Sequence, residues 1–85
     1  MSNVKIARKK PIEIEVIQIT DENIKEIRGF CGQFAFKRIS PVSFSIETLE
    51  GDMVCHCLDW IAKGAEGEIY PIRNTIFEKT HEIIS

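Results

Sequence analysis

Residues 59–82, DWIAKGAEGEIYPIRNTIFEKTHE, contain the signals that decide the fold of this chain. The segment predicts two short strands, residues 60–63 and 68–72, because β-branched and aromatic residues flank a glycine-marked turn. Pro71 has no backbone N–H to give to a ladder, so the second strand is predicted to end at a sheet edge. The segment therefore indicates an antiparallel hairpin.

A short helix is predicted directly after this hairpin. Thr75 and Glu78 have the spacing of a capping box, in which the hydroxyl and the carboxylate each satisfy an amide of the first helical turn. The apolar residues near the end of the sequence then predict a last short strand, residues 81–84.

The first predicted strand is residues 11–20, PIEIEVIQIT, in which isoleucine alternates with glutamate. The alternation slips at Val16 and Ile17, which are adjacent apolar residues. The slip predicts either a bulge or a strand that is covered on both faces.

A helix is predicted after this strand, because Thr20 or Asp21 can accept hydrogen bonds from the amides of a first helical turn. Three apolar residues at helical spacing then share one face: Ile24, Ile27 and Cys31. Three further strands are predicted at residues 33–39, 42–49 and 53–58.

The predicted order is β-α-β-β-β-β-β-α-β in one domain, residues 1–85, that begins with a basic leader at 1–10. Short turns between strands favour an α+β fold. Its small antiparallel or mixed sheet is expected to curl into a half-open barrel, with one helix packed on it and a short C-terminal helical turn. The expected core is Ile14, Val16, Ile24, Ile27, Phe34, Phe36, Phe44, Ile46, Val54, Ile61, Ile69 and Phe77.

The charge of the chain is unevenly distributed. Residues 1–40 carry eight Lys/Arg and five Asp/Glu, a net charge of +3, whereas residues 41–85 carry three and eight, a net charge of −5. A nucleic-acid-binding domain usually has a concentrated basic surface, so this pattern disfavours nucleic acid as the partner. No apolar run reaches the ~20 residues that a membrane-spanning helix needs, and no signal peptide is recognisable. We therefore expect a cytoplasmic protein.

The three cysteines and two histidines form no recognisable metal or catalytic motif. Cys55 and Cys57 share one face of a predicted strand, and His56 between them points to the other face. A zinc site that combines these cysteines with Cys31 and His81 lacks the paired short spacings of structural zinc motifs. We expect reduced cysteines that pack as small apolar residues, with no catalytic residue, metal or other cofactor.

The predicted hairpin carries the candidate binding surface. Its residues combine aromatic side chains, which are favoured at interfaces, with charged ones: Trp60, Lys63, Glu66, Glu68 and Tyr70. The two aromatic residues are also suited to cover a small core. Edge strands in the sheet offer a second kind of contact, either with a partner strand or with another copy of the chain.

The whole chain resembles a family of short, largely uncharacterised proteins encoded by bacteriophages and prophages. The resemblance rests on five motifs. A short helix starts with Asn23-Ile24. A basic run reaches Pro11, residues 46–52 read IETLEGD, and DWI-x-x-G-x-x-GE-x-YP starts at Asp59. IF-x-x-T-x-E ends at Glu82. Leu58 stands where the family often has glycine.

The resemblance implies a setting in a bacterial cell during infection or lysogeny. The leading hypothesis is a non-enzymatic accessory protein that binds and modulates a host or phage protein, including a component of host defence. One alternative is a small nucleic-acid- or nucleotide-binding barrel, motivated by the leader and by Lys37 and Arg38. The second alternative is a metal-binding protein.

Overall fold

The computed structural model describes residues 3–6 and 12–84. Most of the predicted leader, residues 1–10, and Pro11 therefore lie outside the described residues. Six strands and two helices follow one another along the chain: β1 (Glu15–Gln18), α1 (Ile24–Cys31), β2 (Phe36–Arg38), β3 (Ser43–Thr48), β4 (Gly51–His56), β5 (Trp60–Lys63), β6 (Ile69–Ile72) and α2 (Asn74–Thr80). No helix of the described residues is long and apolar enough to cross a membrane.

The strands form two three-stranded antiparallel sheets rather than one sheet. The first sheet has the order β1-β5-β6 and the second has the order β2-β3-β4. Every observed strand pair is antiparallel, so the fold is α+β as predicted and the sheets are not mixed. The described strands close no barrel, although β3 contacts β6 across the two sheets.

The main core lies between the second sheet, helix α1 and one face of the first sheet. It is formed by Ile19, Ile27, Cys31, Phe36, Phe44, Ile46, Cys55, Ile61 and Ile69. Within it the rings of Phe36 and Phe44 stack with centroids 5.1 Å apart. The opposite face of the first sheet is covered by α2, whose Phe77 stacks on Trp60.

The apolar patterns of α1 and β1 predicted the core correctly at some positions and not at others. Ile27 and Cys31 of α1 are buried as expected, whereas Ile24 is only half-buried. In β1, Val16 and Ile17 are both half-buried and lie on opposite faces, which confirms a strand covered on both sides. Ile14 is half-buried, and Ile19 enters the main core instead.

The prediction that the Val54 face of β4 enters the core was wrong. Val54 is 60% exposed, whereas Cys55 is buried against the carbonyl of Phe44. The strand alternates two sets of apolar residues, so its sequence does not decide which set faces inward. Pairing of Cys55 with Phe44 and of Met53 with Ile46 turns the cysteine side toward the core.

The predicted start of α1 was also wrong. The residue that precedes the helix is Asn23, whose side-chain oxygen accepts from the backbone N–H of Thr20 at 2.9 Å. The Asn23 amide group donates to the carbonyl of Gln18 at 2.7 Å. Asn23 therefore fastens the end of β1 to the start of α1, and neither Thr20 nor Asp21 caps the helix.

Helix α2 begins at Asn74, one residue before the predicted capping box, and neither Thr75 nor Glu78 caps it. The backbone N–H of Asn74 instead donates to the carboxylate of Asp59, at 3.2 Å. The predicted last strand was wrong, because residues 81–84 form neither helix nor strand.

Asp59 joins three parts of the fold. One carboxylate oxygen accepts from Asn74 in α2, and the other accepts from the backbone N–H of His56 in β4 at 3.0 Å. The Asp59 carbonyl accepts from Ile19 at 2.8 Å, next to β1. The Asp59 side chain is only 15% exposed; its hydrogen bond with Asn74 is partly buried, whereas that with His56 is exposed.

In the turn before Asp59, a leucine occupies a backbone conformation that is unfavourable for it. Leu58 has φ of +74° within a turn closed by the hydrogen bond from Asp59 N–H to His56 carbonyl. A left-handed conformation costs a residue with a Cβ about 1–2 kcal/mol, and glycine avoids this cost. The Leu58 side chain is 54% exposed and so recovers little by packing.

Leu58→Gly is therefore expected to raise the free energy of unfolding, by about 1 kcal/mol. Leu58→Ala serves as the control, because alanine loses the same apolar contacts but keeps the Cβ that is strained at positive φ. Urea denaturation of the three proteins measures the difference. A glycine variant that is no more stable than the alanine variant would contradict the strain assigned to Leu58.

Asp59→Ala is expected to lower the free energy of unfolding by about 2–3 kcal/mol, since it leaves the amides of His56 and Asn74 without their acceptor. Asp59→Asn keeps one acceptor oxygen and should cost less. Removal of the exposed carboxylate in Asp52→Ala is the control and should change the stability little. Equal effects of Asp59→Ala and Asp52→Ala in thermal melts would show that Asp59 does not hold the elements together.

Candidate binding surface

A groove of about 360 Å³ lies where the tip of the β3–β4 hairpin approaches β6. We call it the hairpin groove. Its lining consists of Thr48, Leu49, Glu50, Met53, Glu68, Ile69, Tyr70 and Pro71. The apolar side chains in it are unusually accessible, since Leu49 is 76% and Met53 43% exposed. Of the described residues that line it, Glu50 and Glu68 are the charged ones.

Tyr70 and Glu68 are the two residues of the predicted surface that line the hairpin groove. Tyr70 is half-buried and lies opposite Ala62 in the ladder between β5 and β6. Glu68 folds back over the turn, where its carboxylate accepts from the backbone N–H of Glu66 at 3.0 Å. Glu66 itself is exposed at the tip of this turn.

Trp60 lies on the same face of the first sheet as Tyr70 but packs inside the fold. Its ring stacks on Phe77 with centroids 4.1 Å apart and an angle of 11° between the planes. The indole N–H donates to the side-chain oxygen of Asn74 at 3.0 Å. Both contacts give Trp60 the role of attaching α2 to the sheet.

Lys63 lies on the opposite face of the first sheet from Trp60, because the two are three residues apart in one strand. Its ammonium group lies 4.5 Å from the ring centroid of Phe30 in α1, a cation–π distance. The five predicted residues thus do not form one patch: two line the groove, one lies at the turn, and two pack against helices.

Leu49 and Met53 were missed as surface residues by the sequence reasoning. The signal that points to them is the motif TLEGDM, in which a hairpin turn is flanked by two large apolar residues rather than by polar ones. The turn brings both next to β6, and this proximity depends on packing between the sheets.

The cysteines and histidines are distributed over separate environments. Cys31 and Cys55 are buried, and the Cys57 thiol lies 3.9 Å from the carboxylate of Asp21. His81 stacks on Phe77 with ring centroids 4.8 Å apart. Among residues 3–6 and 12–84, no three His, Cys, Asp or Glu side chains are arranged to hold a metal ion.

The basic residues Lys37 and Arg38 differ in how they are engaged. The Arg38 guanidinium lies 3.0 Å from the carboxylate of Asp21, donates to the carbonyl of Pro41 and lies over the ring of Phe44. Lys37 is exposed on the outer face of β2. The contacts of Arg38 leave this pair poorly arranged to bind a phosphate backbone.

Two larger depressions, of about 550 Å³ and 760 Å³, flank β1. Both are lined in part by the segment after α2, within residues 81–84, which is exposed throughout. The walls of the hairpin groove are instead formed mainly by strands β3, β4 and β6 and by the turn between β3 and β4.

Comparisons of the chain with protein-family models, with curated proteins and with solved structures gave no match. The arrangement of side chains is therefore the basis on which a function can be argued.

Burial makes two of the three thiols poor nucleophiles. It raises the pKa of Cys55 to about 12, with smaller contributions from Asp59 and Cys31. Burial also raises the pKa of Cys31, although Lys63 opposes the shift. A thiolate is the reactive form, so both residues should react slowly with electrophiles near neutral pH.

We expect a maleimide at pH 8 to label the folded protein at Cys57 and to leave Cys31 and Cys55 largely unmodified. Cys57→Ser should remove most of the labelling, and labelling in urea should recover every remaining thiol. Mass spectrometry of the labelled protein counts the adducts. Rapid labelling of Cys31 or Cys55 in the folded state would contradict their burial.

Proposed function

We propose that this protein is a non-enzymatic accessory protein that binds another protein through the hairpin groove and thereby modulates it. The observation that carries the proposal is the pair of exposed apolar side chains, Leu49 and Met53, beside the half-buried Tyr70. Exposed apolar groups that adjoin an aromatic side chain and are rimmed by polar ones are typical of protein interaction sites.

The charge of the groove indicates the chemistry of the partner. Its charged lining consists of carboxylates from Glu50 and Glu68, and Asp52 is exposed on the neighbouring strand. A partner segment with apolar side chains next to lysine or arginine matches this surface in both respects. The resemblance to phage-encoded proteins supports a host or phage protein as the partner, including a component of host defence, in the bacterial cytoplasm.

The half-open barrel belongs to the same proposal. The groove is formed where Leu49 and Met53 of one sheet meet Tyr70 and Pro71 of the other. The contact between β3 and β6 brings the two sheets into this arrangement. A barrel open on one side would present the groove along its seam.

The absence of enzymatic activity is part of the proposal and is supported by the state of the thiols. Cys31 and Cys55 are buried with raised pKa values, and Cys57 lies beside the carboxylate of Asp21. Lys63 lowers the pKa of Cys31, but burial outweighs it, so neither buried thiol is activated as a nucleophile.

The proposal is tested by affinity capture from bacterial lysate with tagged wild-type protein and with two groove variants, Leu49→Ala and Tyr70→Ala. We expect one host or phage protein to be retained by the wild type, and at least about tenfold less of it by each variant. Leu49 is 76% exposed, so its truncation should not affect folding.

Val42→Ala is the matched control, because Val42 is 60% exposed and lies outside the groove. Circular dichroism verifies that all variants are folded. Retention of the same protein by wild type and both groove variants would exclude the groove as the binding site. Recovery of nucleic acid that is lost on adding salt would instead favour the nucleic-acid-binding alternative.

A further inference from the structure

Strand β4 has a free edge that is longer and more exposed than the other sheet edges. Among the described strands, β1, β2 and β6 also lie at edges, but they contain four, three and four residues, whereas β4 contains six. Every residue of β4 except Cys55 is exposed. The strand contains neither lysine nor proline, which commonly protect an edge from pairing.

The backbone groups that face this edge follow from the pairing with β3. The N–H of Cys57 donates to the carbonyl of Val42, so this pair is hydrogen-bonded. Hydrogen-bonded and non-hydrogen-bonded pairs alternate in an antiparallel ladder, so Cys55 and Met53 also direct their backbone groups toward β3. The backbone N–H and C=O groups of Val54 and Asp52 therefore point toward the free edge.

The next outward amide along the strand already has an acceptor. His56 N–H donates to the carboxylate of Asp59 at 3.0 Å. An added strand can thus form hydrogen bonds with the backbone N–H and C=O groups of Asp52 and Val54. It gains no further hydrogen bond with the N–H of His56.

From these observations we infer that the protein forms a two-fold symmetric dimer by antiparallel pairing of β4 with β4 of a second copy. Met53 lies on the two-fold axis opposite its own equivalent, and Val54 lies opposite Asp52 of the second copy. In this register each Val54–Asp52 pair exchanges two hydrogen bonds, so every outward backbone group of Asp52 and Val54 is satisfied. The second sheet of one copy, β2-β3-β4, and the same sheet of the other copy then form one six-stranded sheet.

Charge and apolar exposure favour a second copy as the occupant of this edge. The strand is acidic at its hairpin end, with Glu50 and Asp52, and has His56 at its other end. In the antiparallel register Asp52 lies directly opposite Val54 and the two Asp52 side chains are only diagonal neighbours, whereas parallel pairing would place Asp52 directly against Asp52. The pairing also covers Val54, which is 60% exposed.

The register predicts opposite effects for opposite charges at one position. Val54→Asp places a carboxylate opposite Asp52 twice in each dimer, and we expect the dissociation constant to rise at least about tenfold. Val54→Lys places an ammonium group there and should leave the dimer intact or tighten it. Val42→Asp is the control, because Val42 is also 60% exposed but lies outside β4.

Sedimentation equilibrium of the full chain from micromolar to millimolar concentration measures these constants, after circular dichroism has confirmed folding. A wild-type protein that is monomeric throughout this range would overturn the inference. Dissociation by both Val54 variants would overturn the register, since it would indicate that Val54 faces its own equivalent.

Disulfide formation tests the position of the two-fold axis directly. A non-hydrogen-bonded antiparallel pair has Cα atoms about 4.5 Å apart, which is within the range of a disulfide. Met53→Cys should therefore form a disulfide-linked dimer on mild oxidation, and Val42→Cys should not. Equal cross-linking of both variants would contradict the assigned axis. Because dimer formation is measured without any other protein, its failure is distinguishable from a failure of partner binding.

Discussion

The two hydrogen bonds accepted by the Asp59 carboxylate are the constraint on which the rest of the structure depends. They fix the amide at the end of β4 and the amide at the start of α2 with one largely buried side chain. The adjacent backbone of Asp59 pairs with Ile19. In a chain of 85 residues the core is small, so a polar link of this kind contributes a larger share of the stability than it would in a larger domain.

Asp59 and the hairpin groove lie at opposite ends of the second sheet. Asp59 holds the His56 end of β4 close to the first sheet, and the far end of the same strand leads to the β3–β4 turn. Leu49 and Met53 lie near that turn and line the groove together with Ile69, Tyr70 and Pro71 of β6. The hydrogen bonds of Asp59 at one end of β4 thus leave the hairpin tip at the other end exposed.

Local signals in the sequence predicted most elements, and non-local contacts account for most of the errors. Helical spacing identified the buried residues of α1, Ile27 and Cys31, because periodicity depends on neighbours within two turns. The start of α2 depends on Asp59, which is 15 residues away from Asn74, so no local capping rule predicts it. The orientation of β4 likewise depends on its pairing with β3.

The surroundings of the residues in the candidate surface likewise depend on non-local contacts. Sequence reasoning selected Trp60 for its aromatic character, but stacking on Phe77 and the hydrogen bond to Asn74 engage it in the fold. Tyr70 has the same character and neither contact, and it lines the groove. Trp60 and Tyr70 differ because α2 packs on Trp60. The type of residue alone does not predict this contact.

Leu58 and the free edge of β4 depart from the rules that stabilise a small domain, and they are close together. Leu58 occupies a conformation suited to glycine, and Val54 remains exposed on an unprotected edge. Residues that break a local rule without a compensating contact are often found where a protein interacts with another molecule. Leu58 is itself 54% exposed and follows β4 by two residues, so its strained backbone is not compensated by packing of the side chain. Glycine would relieve the strain but would also remove an exposed apolar side chain of the kind that contacts between proteins cover.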